Sequence, residues 1–184
     1  YNTFFNRAAD GPGLAFWTGQ IGSGMPREVV LASFMFSTEF VTFTQGIFGN
    51  TQVRKEIDTV TDFYRGLLGR LPDGSGLTFW IGQFRAAQCA GINATNAVNV
   101  QAESISSSFA TGGEYAARAR TNAQYVGDLY NAFLRRGGDL AGVQFWGNAL
   151  GANTLTREQV RQNFVASAEF QGRVAAIIAQ GCLP

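Results

Sequence analysis

One motif, written three times, constrains this chain more than anything else in it. Tyr1-x-x-Phe4-Phe5-x-Arg7-x-x-Asp10-x-x-Gly13-Leu14-x-Phe16-Trp17 returns as Tyr64-x-x-Leu67-Leu68-x-Arg70-x-x-Asp73-x-x-Gly76-Leu77-x-Phe79-Trp80. It returns again as Tyr130-x-x-Phe133-Leu134-x-Arg136-x-x-Asp139-x-x-Gly142-Val143-x-Phe145-Trp146. The offsets are 63 and 66 residues, the motif needs no gap, and all three tryptophans of the chain hold the same place in it. A period of this length marks one supersecondary unit, repeated, that buries its apolar face against its neighbours. A second half recurs as well: Phe34-x-x-Ser37-x-Glu39-Phe40 matches Phe164-x-x-Ser167-x-Glu169-Phe170, with Phe109-x-x-Gly112-x-Glu114-Tyr115 a looser middle copy. The middle unit runs about a dozen residues longer between Trp80 and its closing aromatic, and Cys89 to Asn96 is the expected site of that insertion.

These alignments predict one helical domain of three repeats, approximately 1–49, 50–121 and 122–184. Tyr64 and Tyr130 follow Val60-x-x-Phe63 and Val126-x-x-Leu129, for which the first copy has no counterpart. The first repeat is therefore expected to be truncated at its N-terminus, and the chain to be a piece of something longer.

Within each unit the apolar spacing is helical. Val60, Phe63, Tyr64, Leu67, Leu68 and Leu71 fall at i, i+3, i+4, i+7, i+8 and i+11, one stripe of an amphipathic helix. Glycine and proline at 69, 72, 74 and 76, and Gly137-Gly138 in the third copy, stop it. A second helix carries Leu77, Trp80, Ile81 and Phe84 on one face. A third is announced by Pro26 in one copy and by Thr156-Arg-Glu-Gln159, a capping-box pattern, in another. No segment shows the period of a strand. The expected fold is all-α, about three helices per repeat, packed as a compact array.

Several functions are set aside by composition. A net charge of +1, with basic residues scattered and a single lysine, makes no stripe for nucleic acid. No apolar run approaches the ~20 residues of a membrane span. Without histidine, the commonest general base and metal ligand is missing, and no phosphate-binding loop or nucleophile elbow occurs. No enzyme activity and no cofactor are expected. Cys89 and Cys182 lie in irregular segments, where a disulfide pinning an insertion to the tail is expected, and with it an extracytoplasmic location; two separate buried thiols are the alternative.

The motif residues carry sharper expectations. Asp10, Asp73 and Asp139 read as caps of the second helix, since a calcium loop needs several carboxylates and each of these loops has one. Arg7, Arg70 and Arg136 fall at the end of the first helix, where a cation is favoured. Glu39, Glu114 and Glu169 read as lying near the end of the third helix, where the dipole opposes them, so each is expected to pair with a motif arginine in a two-pronged bridge. A ligand-binding arginine is the alternative. Trp17, Trp80 and Trp146, with their preceding phenylalanines, are expected in the core; exposed, they would form a stacking platform for sugars.

Phe63-Tyr-Arg-Gly-Leu-Leu-Gly-Arg-Leu-Pro-Asp-Gly-Ser-Gly-Leu-Thr-Phe-Trp80 resembles the signature of the bacterial domain of unknown function numbered 4214. That signature reads Tyr-x-x-Leu-Leu-Gly-Arg-x-Pro-Asp-x-x-Gly-x-x-x-Trp and closes on Ser-x-Glu-Phe; the family is similar in turn to helical phycobilisome linker domains. Asn6 before Arg7, Gly137-Gly138 in place of Leu-Pro, and Gly112 in place of serine depart from it. The resemblance implies no catalytic residues. Its context is large secreted or surface bacterial proteins, and the linker-like similarity points to protein–protein scaffolding. Two functions follow as expectations: a non-catalytic assembly module working through a protein partner or self-assembly, or a glycan-binding module, with or without calcium.

Overall fold

Several helices in this chain begin on a side-chain cap. The computed structural model describes residues 1–35, 37–48 and 54–182. Its helices are α1 (Asn2–Phe5), α2 (Gly11–Gly22), α3 (Arg27–Met35), α4 (Thr38–Phe48), α5 (Lys55–Phe63) and α6 (Gly74–Gln88). They continue with α7 (Ala94–Thr111), α8 (Gly113–Ala117), α9 (Asn122–Leu134), α10 (Leu140–Gly151), α11 (Arg157–Ala166) and α12 (Ala168–Gln180). A π-helical turn, Tyr64–Leu68, extends α5, and a 3₁₀ turn, Gly91–Asn93, precedes α7. The described residues hold no strand, so the fold is all-α.

Asp10, Asp73 and Asp139 cap α2, α6 and α10, each accepting the backbone N–H three residues on, at 2.7, 2.7 and 2.8 Å. α9 opens on a full capping box, Thr121 with Gln124, in which each side chain holds the other's backbone N–H. The chain then leaves the first helix of each motif through a left-handed residue at one fixed place: Asn6 (φ 52°), Gly69 (φ 68°) and Arg135 (φ 53°). Only glycine adopts that conformation without strain, and the third copy spends ~1 kcal/mol on Arg135 there.

The expected third helix is two helices. It breaks at Ser37, Gly112 and Ser167 into α3 and α4, α7 and α8, and α11 and α12. Ser37 and Ser167 explain the break in two copies, because each hydroxyl accepts the N–H of the residue three on, Phe40 or Phe170. Glu39, Glu114 and Glu169 consequently lie in the first turn of α4, α8 and α12. This corrects the sequence expectation: the dipole favours these carboxylates rather than opposing them. The extra residues of the middle copy are mostly helical, since α6 and α7 run to 15 and 18 residues against 12 and 9 for α2 and α3.

By contacts the chain divides into two units. The first holds Tyr1–Gln52, Arg120–Asn131 and Arg135–Arg157; the second holds Val53–Ala119, Ala132–Leu134 and Glu158–Pro184. The expected boundary between residues 49 and 50 lies outside the described residues. In the first unit Phe34 gathers the rings of Tyr1, Phe4, Phe5 and Trp17 at 5.0–5.9 Å. Val29 and Ser33 of α3 pack so closely on Gly127 and Gly137 that a Cβ at either glycine would overlap them. In the second unit α6 lies against α5 and α7, and α12 against the same two helices. Phe63 stands at its centre, within 5.2–6.3 Å of Phe109, Phe133 and Phe170.

A disulfide joins Cys89, just past α6, to Cys182, just past α12. Hydrogen bonds reinforce the same corner. Gln88 donates to the Ile177 carbonyl at 2.7 Å, Arg54 to the Gly181 carbonyl at 2.9 Å, and the Lys55 N–H to Gln180 Oε1 at 2.6 Å.

Candidate functional site

The motif residues converge on a single local device. In the first copy Arg7 grips Glu39 with Nε at 2.6 Å and Nη2 at 3.0 Å, while its Nη1 donates to the Ala8 carbonyl and to Asp10 Oδ2. Arg70 repeats every contact: Glu114 at 2.5 and 3.0 Å, the Leu71 carbonyl, and Asp73 Oδ2. Two-pronged geometry of this kind fixes orientation as well as charge. Arg136 also donates to the next carbonyl, that of Gly137, at 3.3 Å. It belongs to the first unit and Glu169 to the second. All three guanidinium groups lie over the motif tyrosine, 4.8–4.9 Å from the ring centre of Tyr1, Tyr64 or Tyr130.

The invariant glycine of the motif has a steric cause. A Cβ at Gly13, Gly76 or Gly142 would sit 2.0–2.2 Å from the hydroxyl oxygen of Tyr1, Tyr64 or Tyr130. The tyrosine is thus wedged between the arginine and the first turn of the next helix. In the middle copy burial raises the pKa of the Tyr64 phenol. The charges are tuned accordingly. Asp73 is held at about 2, first by the Gly76 N–H and then by the Ser75 hydroxyl. The Gly13 N–H lowers Asp10 in the same way. Glu39 and Glu114 are lowered chiefly by their arginines.

The Phe-Trp pairs depart from their expected place in the core. Trp17, Trp80 and Trp146 are half-buried, whereas Phe16, Phe79 and Phe145 are exposed by 55%, 55% and 63%. Neighbours on a helix point about 100° apart, so only one ring of each pair faces inward. The outer ring rests edge-on against its tryptophan, at 5.0, 4.8 and 4.9 Å. Beside Trp80 the second unit has an open pocket of about 210 Å³, whose lining includes Tyr64, Arg70, Trp80, Phe109 and Glu114. Among the described residues no group of three or more histidine, cysteine or acidic side chains is placed to hold a metal ion.

Sequence reasoning missed several buried or half-buried charges. Arg118 and Arg173 stand three residues past the closing aromatics Tyr115 and Phe170. Arg118 donates to the Leu67 carbonyl, and Arg173 to the carbonyls of Phe133 (2.7 Å) and Ala132 (3.2 Å), so each holds the end of a first helix. Asp62 and Asp128 stand two residues before the motif tyrosines; Asp62 pairs with Arg173 at 2.6 Å and Asp128 with Arg120 at 2.8 Å on both oxygens. A few more aligned residues at each end would have found them. Arg161, fully buried and bonded to Glu103, Glu158 and Ser106, left no such signal, because Leu31 and Ser106 fill its place in the other copies.

Taken together, short capped helices, arginine clamps and half-buried aromatics define a helical module in which the repeated polar residues serve the fold. The chain belongs to the family described as Domain of unknown function (DUF4214), whose model matches residues 1–44 and 102–174. No curated protein and no solved structure matches it significantly.

Proposed function

We propose that the chain is a non-catalytic assembly module of a secreted or cell-surface protein, built of three copies of its family's unit and working through helix-face contacts with protein. The observation that carries this reading is the apolar surface of α2. This helix has no buried residue, and it exposes Leu14 and Ile21, seven residues apart on one face. Clustered apolar exposure marks interaction surfaces. In the first two copies the motif's charges are engaged in clamps and caps that serve the fold. The Cys89–Cys182 disulfide supports an oxidising compartment.

Light scattering after gel filtration, over a hundredfold range of concentration, tests it. Association that grows with concentration in the wild type and is lost in Leu14→Asp/Ile21→Asp is expected. A monomer at every concentration in both would remove self-assembly from the reading. A second reading, glycan binding, draws on the exposed Phe79 ring and the pocket beside Trp80. Quenching or enhancement of tryptophan fluorescence by oligosaccharides, absent in Phe79→Ala, would favour it.

A further inference from the structure

The pocket of the second unit is walled in part by the residues at which the middle motif departs from the other two. Its volume is about 210 Å³, and it lies where Trp80 of α6, Ser108 of α7 and Gly112 to Glu114 at the start of α8 meet. Gly112 and Gly113 stand where the first copy has Ser37-Thr38 and the third has Ser167-Ala168. Two successive positions of the wall therefore carry no side chain. The backbone does not require this, since Gly112 has φ −64° and Gly113 is helical. Crowding does not require it at Gly113 either, because a Cβ there would meet nothing within 4 Å. Bare backbone on a pocket wall lets a ligand approach closely.

The polar groups around it select the ligand. Arg70 makes four hydrogen bonds, to both oxygens of Glu114, to Asp73 and to the Leu71 carbonyl, so one of the five guanidinium N–H groups is left to donate. Each Glu114 oxygen takes one of those bonds and keeps a lone pair for a hydroxyl. The Ser108 hydroxyl donates to the Ser104 carbonyl at 2.9 Å, and its oxygen can accept in turn. Both members of the Arg70–Glu114 pair are about half exposed, within reach of a ligand. The guanidinium repels a cation, and the carboxylates of Glu114 and Asp73 repel an anion. Half-buried Trp80 adds an aromatic face. We infer, on the glycan-binding reading of the function, that this pocket holds one uncharged pyranose residue, with its C–H face on Trp80 and adjacent hydroxyls on Glu114 and Arg70. The volume suits a single ring, being below the ~300 Å³ at which sites for drug-sized ligands begin.

Three neutral probes test it: methyl β-glucopyranoside, methyl β-galactopyranoside and methyl N-acetyl-β-glucosaminide. Each is titrated into the full chain and followed through the indole N–H resonances of Trp17, Trp80 and Trp146, with Trp80→Phe assigning the second. At least one probe is expected to shift the Trp80 resonance, with half-saturation at roughly millimolar concentration for a ligand of this size. Methyl β-glucuronide, which adds a carboxylate, is expected to bind at least tenfold more weakly. Ser108→Leu and Gly113→Leu each place a side chain on the wall, and each is expected to weaken the response tenfold or more with Tm unchanged. A Trp80 resonance that none of the neutral probes moves overturns the inference, as does an equal response to the glucuronide or undiminished binding in both wall variants. Shifts confined to Trp17 or Trp146 overturn this site and leave glycan binding standing. Silence of all three indoles toward these probes and toward oligosaccharides overturns the site and the glycan reading together.

Discussion

At the scale of single residues, the motif is a steric lock between a tyrosine and a glycine. The Tyr64 hydroxyl occupies the space that a side chain on Gly76 would need, so neither residue is free to change alone. Gly76→Ala is expected to cost ~1–3 kcal/mol by overpacking. Tyr64→Phe, which deletes the clashing oxygen, is expected to absorb ~1 kcal/mol or more of that cost in a double-mutant cycle followed by urea unfolding. Additive losses would show that the hydroxyl is not what excludes the methyl group. The neighbouring Asp73 makes a prediction in pH. Its carboxyl sits at about 2 in the folded chain against ~3.9 in an unfolded one. A depressed folded value means the stabilisation is complete above pH ~4 and disappears as pH falls from ~4 to ~2. Asp73→Asn is expected to flatten that part of the stability curve, read from urea midpoints at each pH; an unchanged slope would place the acid sensitivity elsewhere.

Among the elements, α12 depends most on a single side chain. Arg173 reaches from it to the Phe133 and Ala132 carbonyls and to Asp62, whose carboxylate is almost wholly buried. Arg173→Met removes a cation 2.6 Å from that buried charge, and losses of this kind cost ~3–5 kcal/mol. Adding Asp62→Asn to Arg173→Met is expected to restore part of the loss, and a loss below ~1 kcal/mol in the single variant would mean that water reaches Asp62. What the sequence disclosed at this scale, and what it hid, have physical reasons. The caps at Asp10, Asp73 and Asp139 were legible because a cap is local, read from one residue and the glycine three beyond it. The break at Ser37 and Ser167 was not, since apolar spacing runs on through it, and only the hydroxyl's bond to the N–H three on reveals a new helix. The outward turn of Phe16, Phe79 and Phe145 was hidden for a related reason. Two adjacent aromatics look alike as composition, and only the helix phase separates them.

For the molecule as a whole, the covalent clamp is the largest single constraint. Cys89 and Cys182 are 93 residues apart, and closing a loop of that size contributes ~4–5 kcal/mol in the chain-entropy model. Reduction, or Cys89→Ser/Cys182→Ser, is expected to lower Tm by ~8–15 °C, measured by circular dichroism. A shift under ~2 °C would mean that the hydrogen bonds of that corner suffice without the bridge. The division into units has its own bearing on how the chain can be handled and inherited. Each unit takes residues from both sides of Ala119 and Arg120. A protease that opened the backbone there would release no folded half, only two fragments that each hold part of both units and stay tethered through Cys89 and Cys182. Although the sequence counts in threes, the chain cannot be shortened by one count without dismantling what the others build.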